Sequence, residues 1–244
     1  MTDESRWLIR DEVLEDRDLS GRVVDDLIVV NARLTRCDLR GLRVRHDASL
    51  GAGMRRSWYD SCVFDGSRLR MGSAGRATFT NCSFRDVSIS TWECTAVSLI
   101  DCTFTGRLRG CSFFARVPDD YPPALERITN EIRGNDFSGC VLTQVYFDAG
   151  VDLARQRLPT GPEYFLLPDA PAALDAVRAE MAGWTDQDRG LGERLLTAMF
   201  DRYVRRGQTQ IFGRRSEYAR GGFEAVGKRI MDFWVTRGFT EVSP

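Results

Sequence analysis

Residues 62–106, written in blocks of five, read CVFDG SRLRM GSAGR ATFTN CSFRD VSIST WECTA VSLID CTFTG. The third place of most blocks holds a bulky apolar residue: Phe64, Leu69, Phe79, Phe84, Ile89, Leu99, Phe104. The first place is often small: Cys62, Ser67, Gly72, Ala77, Cys82, Cys102. The pattern reaches back through Leu19, Val24, Val29, Leu34, Leu39 and Val44, and passes Met54 and Tyr59. A period of five belongs neither to a helix nor to an isolated strand, so it is an internal repeat, which decides architecture before local propensity does. Residues twenty apart also match in kind. Cys62, Cys82 and Cys102 form one series and Phe64, Phe84 and Phe104 another. This predicts a coil of four blocks, with structural columns of like residues stacked at the strand spacing of about 4.8 Å. Phe rings at that spacing pack offset, each contributing roughly 1.5–3 kcal/mol.

These blocks, together with Cys37-Asp38-Leu39-Arg40-Gly41, resemble the pentapeptide-repeat family. The resemblance implies a mainly β chain: a right-handed quadrilateral β-helix over 18–153, carried by 18–116 and 135–153. An N-terminal cap is expected at 1–17. Asp47 and Ser49 fall in inward slots, so Gly51–Gly53 reads as a bulge or loop. The spacing slips by one between Phe104 and Phe113. The repeat breaks at about 117–134, where Leu125, Ile128 and Ile132 after Pro122-Pro123 suggest an inserted helix. A linker follows at 154–170, then an α-helical C-terminal region at 171–244. There Leu174, Val177, Met181 and Trp184 share one face, and Thr185 with Asp188 reads as an N-cap. A last helix is expected from about Ser216. These helices read as a cap on the repeat or as a homodimer interface.

Composition bounds the function. No run of about 18 apolar residues exists, which excludes a membrane helix, and the acidic Met1-Thr2-Asp3-Glu4-Ser5 lacks a signal core. Seven cysteines in packing slots read as reduced thiols of a cytoplasmic protein, and a column offers no convergent metal site. Lys228 is the only lysine; the arginine and alanine bias points to a GC-rich bacterial genome of actinobacterial type. No nucleophile elbow, P-loop, dinucleotide fingerprint or zinc-protease motif occurs. His46, the only histidine, has no motif partner. The chain is read as non-enzymatic, with no catalytic residue, no cofactor and no metal. Arg155, Arg157, Glu163 and Tyr164 sit together in the linker and could line a pocket, a reading that linker polarity matches equally well.

Charge is the more informative feature. At twenty-residue steps Arg36, Arg56 and Arg76 would form an outward column, with Arg33 and Arg55 on the same face. Like charges about 5 Å apart cost roughly 0.8 kcal/mol in bulk water and about 3 near a protein surface, so this column calls for an anionic partner or for solvation. Arg45, Asp65 and Arg85 would form a self-compensating column. In the resembled family, quinolone-resistance members mimic duplex DNA and bind DNA gyrase, and self-resistance proteins of antibiotic producers act similarly. Residues 18–116 hold fifteen Arg against ten Asp and Glu, the wrong sign for a duplex mimic. Residues 202–237 are basic as well, with nine Arg and Lys against three Asp and Glu. Three readings follow. The first is an interaction protein showing a rigid surface to a macromolecular, most simply protein, partner. The second is a gyrase-directed self-resistance protein. The third is anion or nucleic-acid binding through the arginine column.

Overall fold

A computed structural model describes residues 5–72, 75–117 and 129–240. It divides into two compact units, residues 1–145 with 152–159, and residues 146–151 with 160–244.

The first unit is built from parallel ladders. One runs Arg6–Arg10, Val23–Val30, Arg43–Ala52, Arg68–Arg70, Ser83–Ser90, Thr103–Arg109 and Asp136–Thr143 in order. A second runs Val13–Glu15, Arg33–Thr35, Ser57–Asp60, Arg76–Thr80, Ala96–Ile100 and Ile132–Arg133. Neighbouring strands lie a whole coil apart in sequence, as in Val13 opposite Arg33 and Arg68 opposite Ser88. This is an architecture consistent with a β-helix. Side chains alternate inward and outward in strands such as Ser57–Asp60 and Arg68–Arg70, while Arg76–Thr80 and Ala96–Ile100 each bury four successive residues. Leu34, Tyr59, Phe79 and Leu99 are buried in one column. Phe64, Phe84 and Phe104 stack at 4.7 Å between centroids and 5° between planes, and Phe137 continues the stack at 4.7 Å. The ring spacing equals the strand spacing, so backbone ladder and aromatic ladder reinforce each other. Corners adopt left-handed backbone at five-residue steps, as at Asn31, Arg36 and Gly41 (φ 52°, 51° and 66°). Gly and Asn enter that region at little cost, which accounts for the polar and glycine residues closing each block.

Several expectations change. The coil from Ala32 to Ser57 takes twenty-five residues rather than twenty, as the Ala32 N–H bond to Ser57 Oγ shows. Two of the five extra residues fall in the strand Arg43–Ala52, whose offset from Val23–Val30 rises from 20 to 22 in two register shifts, and the other three fall between Ala52 and Ser57. Asp47 is therefore exposed and Ala48 and Leu50 take the inward slots, while the second register shift falls across Gly51 and the strand ends at Ala52, in line with the bulge or loop expected at Gly51–Gly53. The one-residue slip lies between Phe104 and Gly106, where the pairing offset falls from twenty to nineteen. Of the proposed inserted helix, residues 118–128 lie outside the described residues, while Ile132–Arg133 is a strand. The segment assigned to an N-terminal cap supplies strands Arg6–Arg10 and Val13–Glu15 to the two ladders. The supposed linker is structured: Arg157 bridges to Asp136 in the first unit, and Tyr164–Leu167 is a strand of the second.

The second unit pairs Tyr164–Leu167 antiparallel with Ile211–Arg214 and packs helices α1 (Ala170–Glu180), α2 (Asp186–Arg202), α3 (Arg215–Tyr218) and α4 (Glu224–Thr236). Asp169 and Thr185 cap α1 and α2 through bonds from Ala172 N–H and Asp188 N–H. Leu174, Val177, Leu196, Met199, Ile230 and Trp234 form its core. The last helix is in two pieces, α3 and α4, separated by Gly221 and Gly222, both at positive φ.

Candidate functional site

The arginines read as one column do not form one. The twenty-five-residue coil places Arg36 beside Ser61 rather than Arg56, its N–H donating to Asp60 O. Arg36 is neutralised by Asp16, 2.7 Å away, and by Glu15. Arg56 donates to Thr78 Oγ1 at 2.8 Å and to Ala77 O. Arg76 is buried and donates to Met54 O. Arg33 and Arg56 instead flank the exposed indole of Trp58, 5.7 and 5.9 Å from its centroid. Arg55 is exposed, its N–H held by Asn31 Oδ1. The second expected column is also redistributed. Arg45 pairs with Asp25 at 3.2 Å, and Asp65 accepts from the Arg85 N–H at 2.7 Å.

A different arginine face results. Arg43 lies directly opposite Arg68, Arg68 opposite Ser88, and Ser88 opposite Arg107. Beside this row runs a second, Arg70 opposite Ser90 and Ser90 opposite Arg109. All five arginines are exposed, and among the described residues none is ion-paired to a carboxylate. Two like charges directly opposite each other are unfavourable in a sheet. The blocks Leu42-Arg43-Val44, Ser67-Arg68-Leu69 and Val87-Ser88-Ile89 share an inward, outward, inward pattern that marks these positions as outward, while their stacking depends on the twenty-five-residue coil.

The first row borders a groove of about 640 Å³ lined by Gly66, Arg68, Asp86, Ser88, Gly106, Arg107, Gly139 and Val141, with Val87 at its base. Three glycines leave the groove open: Gly66 at a corner, Gly106 opposite Val87, and Gly139 opposite Thr105. Gly106, at φ 99°, admits no side chain: a Cβ there would lie 2.3 Å from Val87 O. Asp86 holds left-handed backbone (φ 52°) while its N–H bonds to Thr105 Oγ1 at 2.7 Å.

The cysteines are all free and buried. Burial pushes the thiols of Cys111 and Cys140 up to about 12 and those of Cys37, Cys82 and Cys94 upward. Cys62 is shifted the other way, downward, by the neighbouring Cys82 side chain. Cys62, Cys82 and Cys102 each donate to carbonyls of the coil wall, so they are packing groups. His46 is exposed. Arg155 and Arg157 belong to the first unit, Glu163 and Tyr164 to the second. Among the described residues, no group of three metal-ligating side chains lies together, and no helix is long and apolar enough to cross a membrane.

No protein-family model matches the chain, and no curated protein sequence does. Among solved structures, full-length QnrB1, a plasmid-mediated fluoroquinolone resistance protein, is similar at 14% identity over 63% of this chain and 81% of that chain, with a TM-score of 0.16. A trypsin-treated variant of QnrB1 is similar at 12% identity over 58% of this chain and 84% of that chain, with a TM-score of 0.18. At TM-scores this low the likeness has no weight for architecture or function, which rest on the ladder registers above.

Proposed function

We propose that this protein is a non-enzymatic binding protein whose first unit, a right-handed four-sided coil, presents the arginine face to an anionic macromolecule. The observation that carries this reading is the direct opposition of Arg43 and Arg68, continued by Arg107, without a pairing carboxylate among the described residues. A rigid ladder keeps these guanidiniums together although they repel, and a polyanion relieves the repulsion while releasing its own counterions. Arginine suits the task because its planar fork takes phosphate or carboxylate oxygens two at a time.

Retention on immobilised heparin tests it. The wild-type chain elutes late and earlier with rising salt, an Arg68→Ala/Arg107→Ala variant elutes early, and Arg36→Ala, whose guanidinium is already neutralised, elutes like wild type. Equal elution of all three removes the reading. A gyrase-directed role, implied by the family resemblance, is read out separately. Protection of gyrase supercoiling from a quinolone at micromolar protein would replace the polyanion reading with that one.

A further inference from the structure

The groove contains a group that a plain anion site would not have. Asp86 sits on the same coil as Ser88, between the coils that carry Arg68 and Arg107, and is an exposed residue lining the groove with them. Among the described residues it is ion-paired to neither arginine. Glycine occupies the equivalent left-handed corner on the two preceding coils, at Gly66 and Gly41, so the fold does not require a side chain at that place. A carboxylate is an acceptor only. Beside two guanidiniums it repels a bare phosphate and favours a ligand that carries a neutral donor next to its anion. An ammonium donor would be repelled by Arg68 and Arg107, whereas a hydroxyl adds no charge. Val141, exposed on the same groove, supplies an apolar wall for the carbon face of a sugar.

We propose that this groove binds a ribose phosphate, with phosphate oxygens on Arg68, Ser88 and Arg107 and a ribose hydroxyl donating to Asp86. The proposal rests on the anion-binding reading above and makes it selective. A deoxyribose at the same place leaves the Asp86 carboxylate desolvated and unpaired beside a phosphate, which is costly. The ligand is therefore a ribonucleotide unit, from an RNA strand or a free nucleotide.

Fluorescence anisotropy with fluorescein-labelled oligouridylate and oligodeoxyuridylate of equal length tests this on the full chain. The ribo-oligomer binds tighter by about tenfold, the low end for a hydrogen bond to a charged group. Asp86→Gly, which gives the corner the residue that Gly66 supplies on the preceding coil, abolishes the preference while keeping or strengthening deoxy binding. Asp86→Asn, also at ease in left-handed backbone and still an acceptor, retains part of the preference. Competition by AMP at the oligomer's own affinity assigns the site to free nucleotides; AMP far weaker than the oligomer assigns it to RNA. Equal ribo and deoxy binding in the wild type, or a preference that survives Asp86→Gly, overturns the ribose assignment. If that equal binding is still lost in Arg68→Ala/Arg107→Ala, the anion-binding reading stands alone. Absence of binding to both oligomers overturns both.

Discussion

The two units treat charge in opposite ways. In the repeat unit, four surface carboxylates are held ionised. Hydrogen bonds from Arg36, Ser20, Arg40 and Ser138 hold Asp16, Asp18, Asp38 and Asp136 below the usual carboxylate range. In the second unit Asp148 is fully buried, and burial raises its carboxyl to about 6 despite Arg202 at 3.4 Å, whose guanidinium lies 3.4 Å over the Tyr146 ring. The difference follows from architecture. Where a strand alternates, every second side chain faces water, so a coil has places for charge at each step. Asp148 ends the strand Tyr146–Asp148 in a place closed to water, and a carboxylate there is destabilised by desolvation.

The largest effect that separates the units is on packing. Phe84→Ala opens the middle of a four-ring stack and costs about 3–5 kcal/mol. Denaturant unfolding followed by Trp92, whose ring centroid lies 6.2 Å from that of Phe84, reports it. A loss below about 1 kcal/mol would mean the stack contributes little and would weaken the whole comparison.

The acid response comes next. Asp148 has a folded-state pKa above its unfolded value of 3.8. Its ionised form is the disfavoured one, so its penalty is absent below about pH 4 and complete above pH 6. Stability of the second unit therefore falls as pH rises through this window, by about 3 kcal/mol at one pKa unit per 1.36 kcal/mol. The lowered aspartates of the repeat unit behave oppositely. Their contribution is present above pH 3.8 and lost as pH falls through their folded values. Urea denaturation at pH 4.5 and 7 measures the window, and Asp148→Asn flattens it. An unchanged slope in that variant would contradict the assignment.

A smaller effect tests the second unit's local signals: Thr185→Ala removes the cap of α2 and costs about 1 kcal/mol by thermal melting. Smallest is Arg36→Ala. It breaks an exposed ion pair and leaves stability unchanged within error, since such pairs contribute little.

What could be read in the chain follows from which features survive a change of period. Phe64, Phe84 and Phe104 are separated by whole coils of twenty, so their stacking is visible as a repeat. The longer coil between Arg33 and Trp58 adds five residues, one whole block. That keeps the inward and outward phase intact while moving every column by one block. Periodicity alone therefore assigns core slots correctly on both sides of the insertion and misplaces Arg36 relative to Arg56. The face built from Arg43, Arg68 and Arg107 needs both the longer coil and the one-residue slip at Gly106. In the second unit, the Thr185 cap is local and legible. The pairing of Tyr164–Leu167 with Ile211–Arg214 joins two four-residue strands far apart in sequence, too short to announce themselves.

The central claim is that the arginine face of the repeat unit holds a polyanion. Its most direct test is the salt dependence of single-stranded oligonucleotide binding in the wild type and in Arg68→Ala/Arg107→Ala. With each phosphate contact contributing about 0.7 to the slope of log K against log salt, the variant binds more weakly and its slope is shallower by about 1.4. Identical affinity and identical slope in the two proteins would contradict the account.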